Sequence, residues 1–272
     1  MPSPIPDLEQ RDLLAQISDR EGLESHLGHS GRSLYCGFDP TAPSLHIGSL
    51  VPLLTLRRFQ LAGHSPIALV GGATGLIGDP SGRADERSLN DADVVHSWVE
   101  RLSKQVSRFM DLEGSYAAQV VDNLEWTSSL DALGFLRDIG KHFSVNTMMQ
   151  RDSVKNRLGR EGEGISYTEF SYMLLQAYDF LELFRRHQCT IQVGGSDQWG
   201  NMVSGIDLIR RMDGQQAFVL TVPLITRSDG LKFGKTAEGT IWLDSDMTSP
   251  YRFYQFWLNS SDEDSKNYIK IF

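Results

Sequence analysis

The chain has 272 residues, 40 % of them hydrophobic and 22 % charged, which is ordinary for a soluble globular protein large enough to bury a substantial core. Its formal net charge of −9 argues against coating nucleic acid through bulk electrostatics. No apolar run is long enough to span a bilayer, and "MPSPIPDLEQRDLL" lacks the regions of a signal peptide. Two cysteines, Cys36 and Cys189, build no disulfide framework, so a cytoplasmic location is expected.

In chain order, strand-like and helix-like segments alternate. "RSLYCGFDP" reads as a strand ending in a turn, and "GSLVPLLTLRRFQLAG" as an amphipathic helix closed by Gly63. "PIALVGG" has the continuous apolar character of a buried parallel strand. "DADVVHSWVERLSKQVSRFMDL" is a long helix with Asp91 or Asp93 near its cap, followed by the short strand "AQVVDN". Helical patterns cover about 130–141, 144–158 and 167–187. After them come the strand "CTIQVGG", the helix "GNMVSGIDLIRRMDG" ending at Gly214, and the strand "AFVLTVPLIT". This alternation predicts an α/β fold with a mainly parallel sheet flanked by helices, whose ligands gather at the carboxyl ends of the strands. The polar turns 37–48, 71–83 and 194–201 all fall there. The last stretch begins a helical pattern and stops at Phe272 without a closing signal, which reads as a truncated chain.

Five segments carry chemistry. In "DPTAPSLHIGSLVPLL" a helix entrance with Gly48 and His46 suggests an anion site built from unpaired N–H groups around 48–51, and Pro52 is tolerable in the first helical turn. A structural histidine is the other reading of His46. In "VGGATGLIGDPSGR" the glycines fit neither dinucleotide nor P-loop fingerprints, and Asp79 could bind an ammonium group or close an Asx turn.

In "YTEFSYMLLQAYDFLELF", Tyr172, Gln176 and Asp179 share one helix face among core residues. A buried carboxylate there needs a donor, supplied by a phenol or ammonium ligand or by another part of the chain. In "IQVGGSDQWGN", Asp197 after a glycine turn suits ribose hydroxyls. In "SDGLKFGKTAEGT" the glycine spacing is too short for a P-loop, so Lys232 and Lys235 read as a polyphosphate clamp or as surface lysines. Two basic clusters, Arg151–Lys155–Arg157–Arg160 and Arg210–Arg211, read as solvated helix faces or local contacts.

Together and in this order the five segments resemble the bacterial-type tyrosyl-tRNA synthetases, class I aminoacyl-tRNA synthetases with a Rossmann-like catalytic domain. "YCGFDPTAPSLHIGS" is similar to their strand and HIGH signature, "ALVGGATGLIGDPSGR" and "GGSDQWGN" match it closely, and "KFGKT" is similar to the KMSKS loop. The resemblance runs from about residue 8 to the end. It implies an N-terminal helical segment over 1–30, a catalytic α/β domain over 31–247 with an inserted helical region about 124–165, and the start of a helical region over 248–272.

By the same resemblance, Tyr35 and Asp179 would bind a tyrosine hydroxyl, Asp79, Tyr172 and Gln176 its amino group, and Gly37 and Gln198 would also line the amino-acid site. Asp39, Thr41, His46, Gly48, Gly194, Asp197, Lys232 and Lys235 would bind ATP. His46, Ser49, Arg83, Arg87, Lys232, Lys235 and Thr236 would serve catalysis by gripping the phosphates.

The implied activity is tyrosine–tRNA ligation, with L-tyrosine, ATP bringing Mg²⁺, and tRNA(Tyr) as partners. No prosthetic group, dedicated metal site or membrane association is expected, and the protein would be a homodimer. Two departures stand out. Ser49 replaces the signature's second histidine, and the family's RNA-binding regions are absent from this chain. A shortened paralogue with another acceptor, or a regulatory protein binding tyrosine or nucleotide, are the alternatives.

Overall fold

The computed structural model describes residues 3–29, 31–81, 89–151, 154–155, 158, 164–228, 230, 233–236 and 239–272, the last pair of 233–236 by backbone alone. Two short helices, α1 (Ile5–Gln10) and α2 (Arg20–Leu27), flank a two-residue strand β1 (Gln16–Ile17). Then follow β2 (Ser33–Phe38), a 3₁₀ turn at Ile47–Ser49 running into α3 (Leu50–Leu61), β3 (Ser65–Val70), α4 (Thr74–Ile77), α5 (Ala92–Val106) and β4 (Gln119–Asp122). Short helices α6 (Leu124–Thr127), α7 (Ala132–Gly134) and α8 (Val145–Met149) precede α9 (Tyr167–His187). The chain continues through β5 (Cys189–Gly195), α10 (Trp199–Asp213), β6 (Phe218–Val222), β7 (Lys235–Thr236), β8 (Gly239–Thr240), α11 (Pro250–Leu258) and α12 (Asp262–Ile271).

The main sheet has the order β1-β6-β5-β2-β3-β4. Its last five strands are parallel, and only β1 at the edge runs antiparallel, against β6. The chain winds outward from β2 through β3 to β4, then returns to lay β5 and β6 on the other side of β2. The winding therefore reverses between β2 and β5, and at such a reversal the loops leaving the two strands part to form a crevice at their carboxyl ends.

Strand periodicity decides which side chains reach which layer. Leu34, Cys36 and Phe38 join Ala68 and Val70 in a core built with α3 and α5. Tyr35 points the opposite way and joins Ile67, Leu69, Trp126 and Phe180 in the core under α9 and α10. A one-residue slip of β2 would exchange these faces and remove Tyr35 from the α9 side.

The helix ends follow their sequences. Ser166 caps α9 by accepting from the Glu169 N–H at 3.2 Å, and Arg185, Arg186 and His187 occupy its last turn. Gly214, at φ 65°, stops α10 where the sequence expects it. Asp91 is the N-cap residue of α5, although its side chain makes no cap bond. The helical pattern over 130–141 appears as α7, a π turn at Phe135–Ile139 and a 3₁₀ turn at Gly140–His142. From the pattern over 144–158, Val145–Met149 is helix, and several later residues lie outside the described set. β1 and the β7–β8 hairpin, two residues per strand, carry too little pattern to be read from sequence.

Buried Gln60 of α3 holds the chain entering β4. Its Nε2 donates to the Asp111 and Tyr116 carbonyls at 2.7 and 2.9 Å, and its Oε1 accepts from the Asp111 N–H at 3.0 Å. Gln60→Leu keeps the volume but strands three backbone groups, so a stability loss of about 2–3 kcal/mol is expected. The midpoint of urea unfolding measures it.

Candidate active site

A cavity of about 610 Å³ opens where β2 and β5 diverge. Its lining includes Tyr35, Gly37, Asp39, Thr41, His46, Gly48, Ser49, Asp79, Tyr172, Gln176, Asp179, Gly194, Asp197 and Gln198, so segments far apart in sequence converge on one space. Arg83, Arg87 and Lys232 lie outside the described residues, and Lys235 and Thr236 are placed only as the backbone of β7. The described lining holds four carboxylates (Asp39, Asp79, Asp179, Asp197) and no lysine or arginine.

The floor is a buried polar cluster. Asp179 is 2 % exposed, with Oδ1 accepting from Trp126 Nε1 at 2.8 Å and Oδ2 from Asn123 Nδ2 at 2.9 Å. Burial pushes its carboxyl up to about 7, against the pull of these two hydrogen bonds, with Asp39 and Asp122 adding repulsion. The Tyr35 hydroxyl is buried and has no hydrogen-bond partner among the described residues. Burial first, and then the Asp179 carboxylate, raise its ionisation well above the usual phenol range. Gln192, facing Tyr35 across the β2–β5 register, also lines the cavity, and its buried Oε1 has no partner among the described residues. Two orphaned polar atoms on one wall favour a ligand with a polar group there.

From Asp179 the network continues upward. Asn123 Nδ2 also donates to Thr74 Oγ1 at 3.1 Å, Thr74 donates to Asp39 Oδ1 at 2.7 Å, and the Tyr172 hydroxyl donates to Asp39 Oδ2 at 2.6 Å. Gly71 is required beneath it, because a Cβ there would meet Asp39 Oδ1 at 2.1 Å and Thr74 Oγ1 at 2.2 Å.

On the opposite wall Gln198 Nε2 donates to Asp79 Oδ2 at 2.7 Å, and the Ser81 N–H donates to Asp79 Oδ1 at 2.9 Å. Asn201 Nδ2 then reaches Gln176 Oε1 at 3.0 Å. Residues assigned by sequence to separate ligands, such as Tyr172 and Asp39, are thus bonded to each other. The Asx turn that was one reading of Asp79 is present, and Asp79 lines the cavity.

The helix entrance departs from expectation. The Gly48 N–H donates to His46 Nδ1 at 3.0 Å, the Ser49 N–H to the His46 carbonyl at 2.8 Å, and the Leu50 N–H back into the 3₁₀ turn. An anion pocket made of unpaired N–H groups at 48–50 is therefore not what the structure offers, because the tight 3₁₀ turn and the histidine consume those donors. The same bond leaves Nδ1 of His46 an acceptor, so the proton of the neutral ring resides on Nε2. Gly48 is needed for this geometry, since a Cβ would meet the His46 ring at 2.8 Å. Ser49 lines the cavity and makes no side-chain cap bond. Pro52 falls in the first turn of α3, as expected.

Sequence reasoning missed Asn123, Trp126, Thr74, Gln192 and Asn201. A strand end followed by an acidic turn at "VVDNLEW" was the available signal for the first two. The basic clusters make local pairings where described. Arg151 Nη2 donates to Ser204 Oγ at 3.1 Å, Arg210 pairs with Asp207 at 2.9 Å, and Arg211 donates to the His142 carbonyl.

The sequence pattern described as tRNA synthetases class I (W and Y) matches residues 29–272. A tyrosine–tRNA ligase of Aliivibrio fischeri is 60 % identical over 269 residues, 98 % of this chain and 63 % of its own length. One of Serratia proteamaculans is 59 % identical over the same share. Among solved structures, a C-terminally truncated mitochondrial tyrosyl-tRNA synthetase of Aspergillus nidulans superposes with a TM-score of 0.88 at 31 % identity, covering 100 % of this chain and 80 % of that one. The chain belongs to the class I tRNA synthetases of the W and Y family, and its mostly parallel sheet is their Rossmann-like catalytic fold. It spans 63 % of the length of the curated relatives it matches.

The raised carboxyl of Asp179 has a signed consequence for stability. Its folded value of about 7 lies above the ordinary 3.8, so the folded protein holds this proton more tightly. This contribution is complete below pH 4 and is lost as pH rises through 7. Asp179→Asn cannot ionise, and any fixed cost of its amide against Trp126 is independent of pH. Relative to wild type, the variant should gain on the order of 3–4 kcal/mol between pH 4 and pH 8. Urea unfolding at several pH values gives the difference, and parallel curves would contradict the assignment.

Proposed function

We propose that the chain is the amino-acid-activating part of a tyrosine–tRNA ligase. It would join L-tyrosine to ATP, giving tyrosyl-adenylate and pyrophosphate for transfer to tRNA(Tyr) by a longer protein. One observation carries this reading: the unpartnered, buried Tyr35 hydroxyl lies near Asp179, whose two oxygens are already fixed by Asn123 and Trp126. A phenol entering there donates to Asp179 and meets the Tyr35 hydroxyl. Phenylalanine leaves both unsatisfied at the full cost of buried polar groups.

The remaining roles are assigned on the same reading. Asp79 and Gln176, with Tyr172 leaning across from Asp39, would receive the amino group. Gln198, already donating to Asp79, would lie by the carboxylate. The substrate carboxylate oxygen attacks the α-phosphorus, an O–P bond forms, and the bond to the departing pyrophosphate oxygen breaks. No protein nucleophile or strong base is needed, because the carboxylate arrives ionised. Charge on the phosphoryl oxygens must be stabilised, and losing one such contact typically costs roughly 3–4 kcal/mol of barrier.

His46, through Nε2–H, supplies one donor. Asp39, Thr41, Gly48, Gly194 and Asp197 would seat the nucleotide, while Ser49, Arg83, Arg87, Lys232, Lys235 and Thr236 would grip its phosphates. Among the described residues no group of three His, Cys, Asp or Glu side chains could hold a metal ion, and Mg²⁺ would enter with ATP, offsetting the charge of its phosphates.

The domain limits at 30 and 247 and the inserted region about 124–165 belong to the same reading. Exposed Leu133, Leu136, Val145 and Met149 in that insert support a homodimer interface. No helix among the described residues is long and apolar enough to cross a membrane. The two cysteines are buried and free, which fits a reducing, cytoplasmic setting.

Tyrosine-dependent pyrophosphate exchange by this chain tests the reading, and its absence from folded protein would overturn it. Asp179→Asn should lower the tyrosine-to-phenylalanine preference at least about tenfold in the same assay. Ser49→His should raise the rate of adenylate formation if a second phosphate donor is missing; an unchanged rate would assign that task to the serine or to a water it holds.

A further inference from the structure

The floor of the cavity is connected to the protein surface through one aromatic ring. Asp179, Glu182 and Arg186 are spaced by three and then four residues on α9, so they form one stripe of that helix. Trp126 of α6 is buried and meets this stripe twice. Its Nε1 donates to Asp179 Oδ1 at 2.8 Å, and Arg186 Cζ lies over its ring, 5.6 Å from the centroid. Glu182, 8 % exposed, holds the guanidinium in place by accepting from Arg186 Nε at 2.8 Å. The indole thus stands between a half-exposed cation and the buried carboxylate.

Its neighbour Arg185 takes the ordinary course for an arginine in a last helical turn. It bonds Asp213 of α10 through Nη2 at 2.6 Å and Nε at 2.9 Å, on an exposed edge. Arg186 instead covers an aromatic face, within the roughly 6 Å at which a guanidinium is attracted to the ring's electron density. That attraction draws density out of the indole and makes its N–H the stronger donor, as linked polar groups polarise one another. It also holds the ring plane, and with it the direction of Nε1, on a helix of only four residues.

We infer that Arg186 is a positioning residue for the cluster that reads the phenol, acting through the Trp126 ring on the hydrogen bond to Asp179. This rests on the activity proposed above. Neither Trp126 nor Arg186 belongs to the cavity lining, so the effect reaches a substrate only through the carboxylate. That carboxylate is faced by Tyr35 of β2, Asp39 just after it, Asp122 of β4 and Tyr172 of α9, none of them cationic, and is held by Asn123 and Trp126. Weakening the indole bond therefore raises the pH at which Asp179 ionises. A neutral carboxyl accepts a phenol's hydrogen bond less strongly than a carboxylate does, so the preference for tyrosine over phenylalanine falls with it.

Three variants test it. Arg186→Met removes the charge and keeps an apolar stem over the ring, Arg186→Gln is a second neutral variant should the first not fold, and Arg186→Lys restores a cation. The Asp179 midpoint is read by carboxyl ¹³C NMR titration, its signal assigned by its absence in Asp179→Asn. The tyrosine-to-phenylalanine preference is read by pyrophosphate exchange at pH 7. In the neutral variants the midpoint should rise by about half a pH unit and the preference should fall about two- to fivefold, with Arg186→Lys recovering most of each.

An unchanged midpoint and preference in a folded neutral variant would overturn the proposal. So would equal losses in Arg186→Lys, which would leave Arg186 as a cover for the ring and nothing more. A fall in preference with the midpoint unmoved would contradict the route through Asp179. Should the wild-type chain show no tyrosine-dependent exchange, the activity reading falls, and the Asp179 midpoint still decides the role of Arg186.

Discussion

The site is organised around one buried carboxylate. Asp179 sits where an ionised group is expensive, and the fold makes it tolerable by aiming Asn123 Nδ2 and Trp126 Nε1 at its two oxygens. Asn123 in turn accepts from the Ala73 N–H at 2.7 Å and donates to Thr74, so its amide is committed on every side. Those bonds fix the turn after β3, the end of β4 and the middle of α9 relative to one another. Moving any of them would leave a buried polar group unpaired, which holds this corner rigid.

The sheet supplies the rest by topology and alternation. Reversal of the winding between β2 and β5 opens the crevice. Period two along β2 then sends Tyr35 to the α9 side and Cys36 to the α3 side. Cys36 is buried in an apolar layer, which pushes its thiol up to about 12, so it enters the site as a small neutral wall and not as a nucleophile. Depth in the crevice sorts the polar groups, with Tyr35 and Asp179 buried and Thr41, His46 and Asp197 exposed.

Strands and long helices were legible because each is a long periodic segment whose apolar face the sheet needs. The parallel strand "PIALVGG" and the helix over 167–187 are examples, both at their expected places. Candidate site residues were nominated from five segments whose fixed order is rare by chance, and those whose side chains are described line one cavity. Asn123 and Trp126 were not, since their role is to satisfy Asp179 from 53 to 56 positions away, and nothing local in "DNLEW" signals a distant carboxylate. The helix entrance misled for the opposite reason. Its local pattern suggested vacant N–H groups, but a histidine two residues from Gly48 closes onto that donor, a detail set by ring orientation that spacing does not encode.

The charge balance of the cavity bears on the proposed activity, because a phosphate grip there would need cations from beyond the described lining. Four carboxylates line the described cavity, with no lysine or arginine among them. Such a space favours an ammonium group and repels a polyphosphate, and the chain's net charge of −9 adds to that bias at long range. A nucleotide can dock beside these carboxylates only if cations from other segments approach its far end, away from Asp79 and Asp179. The sequence carries its candidates for that task at Arg83, Arg87, Lys232 and Lys235, in two separate segments of the chain.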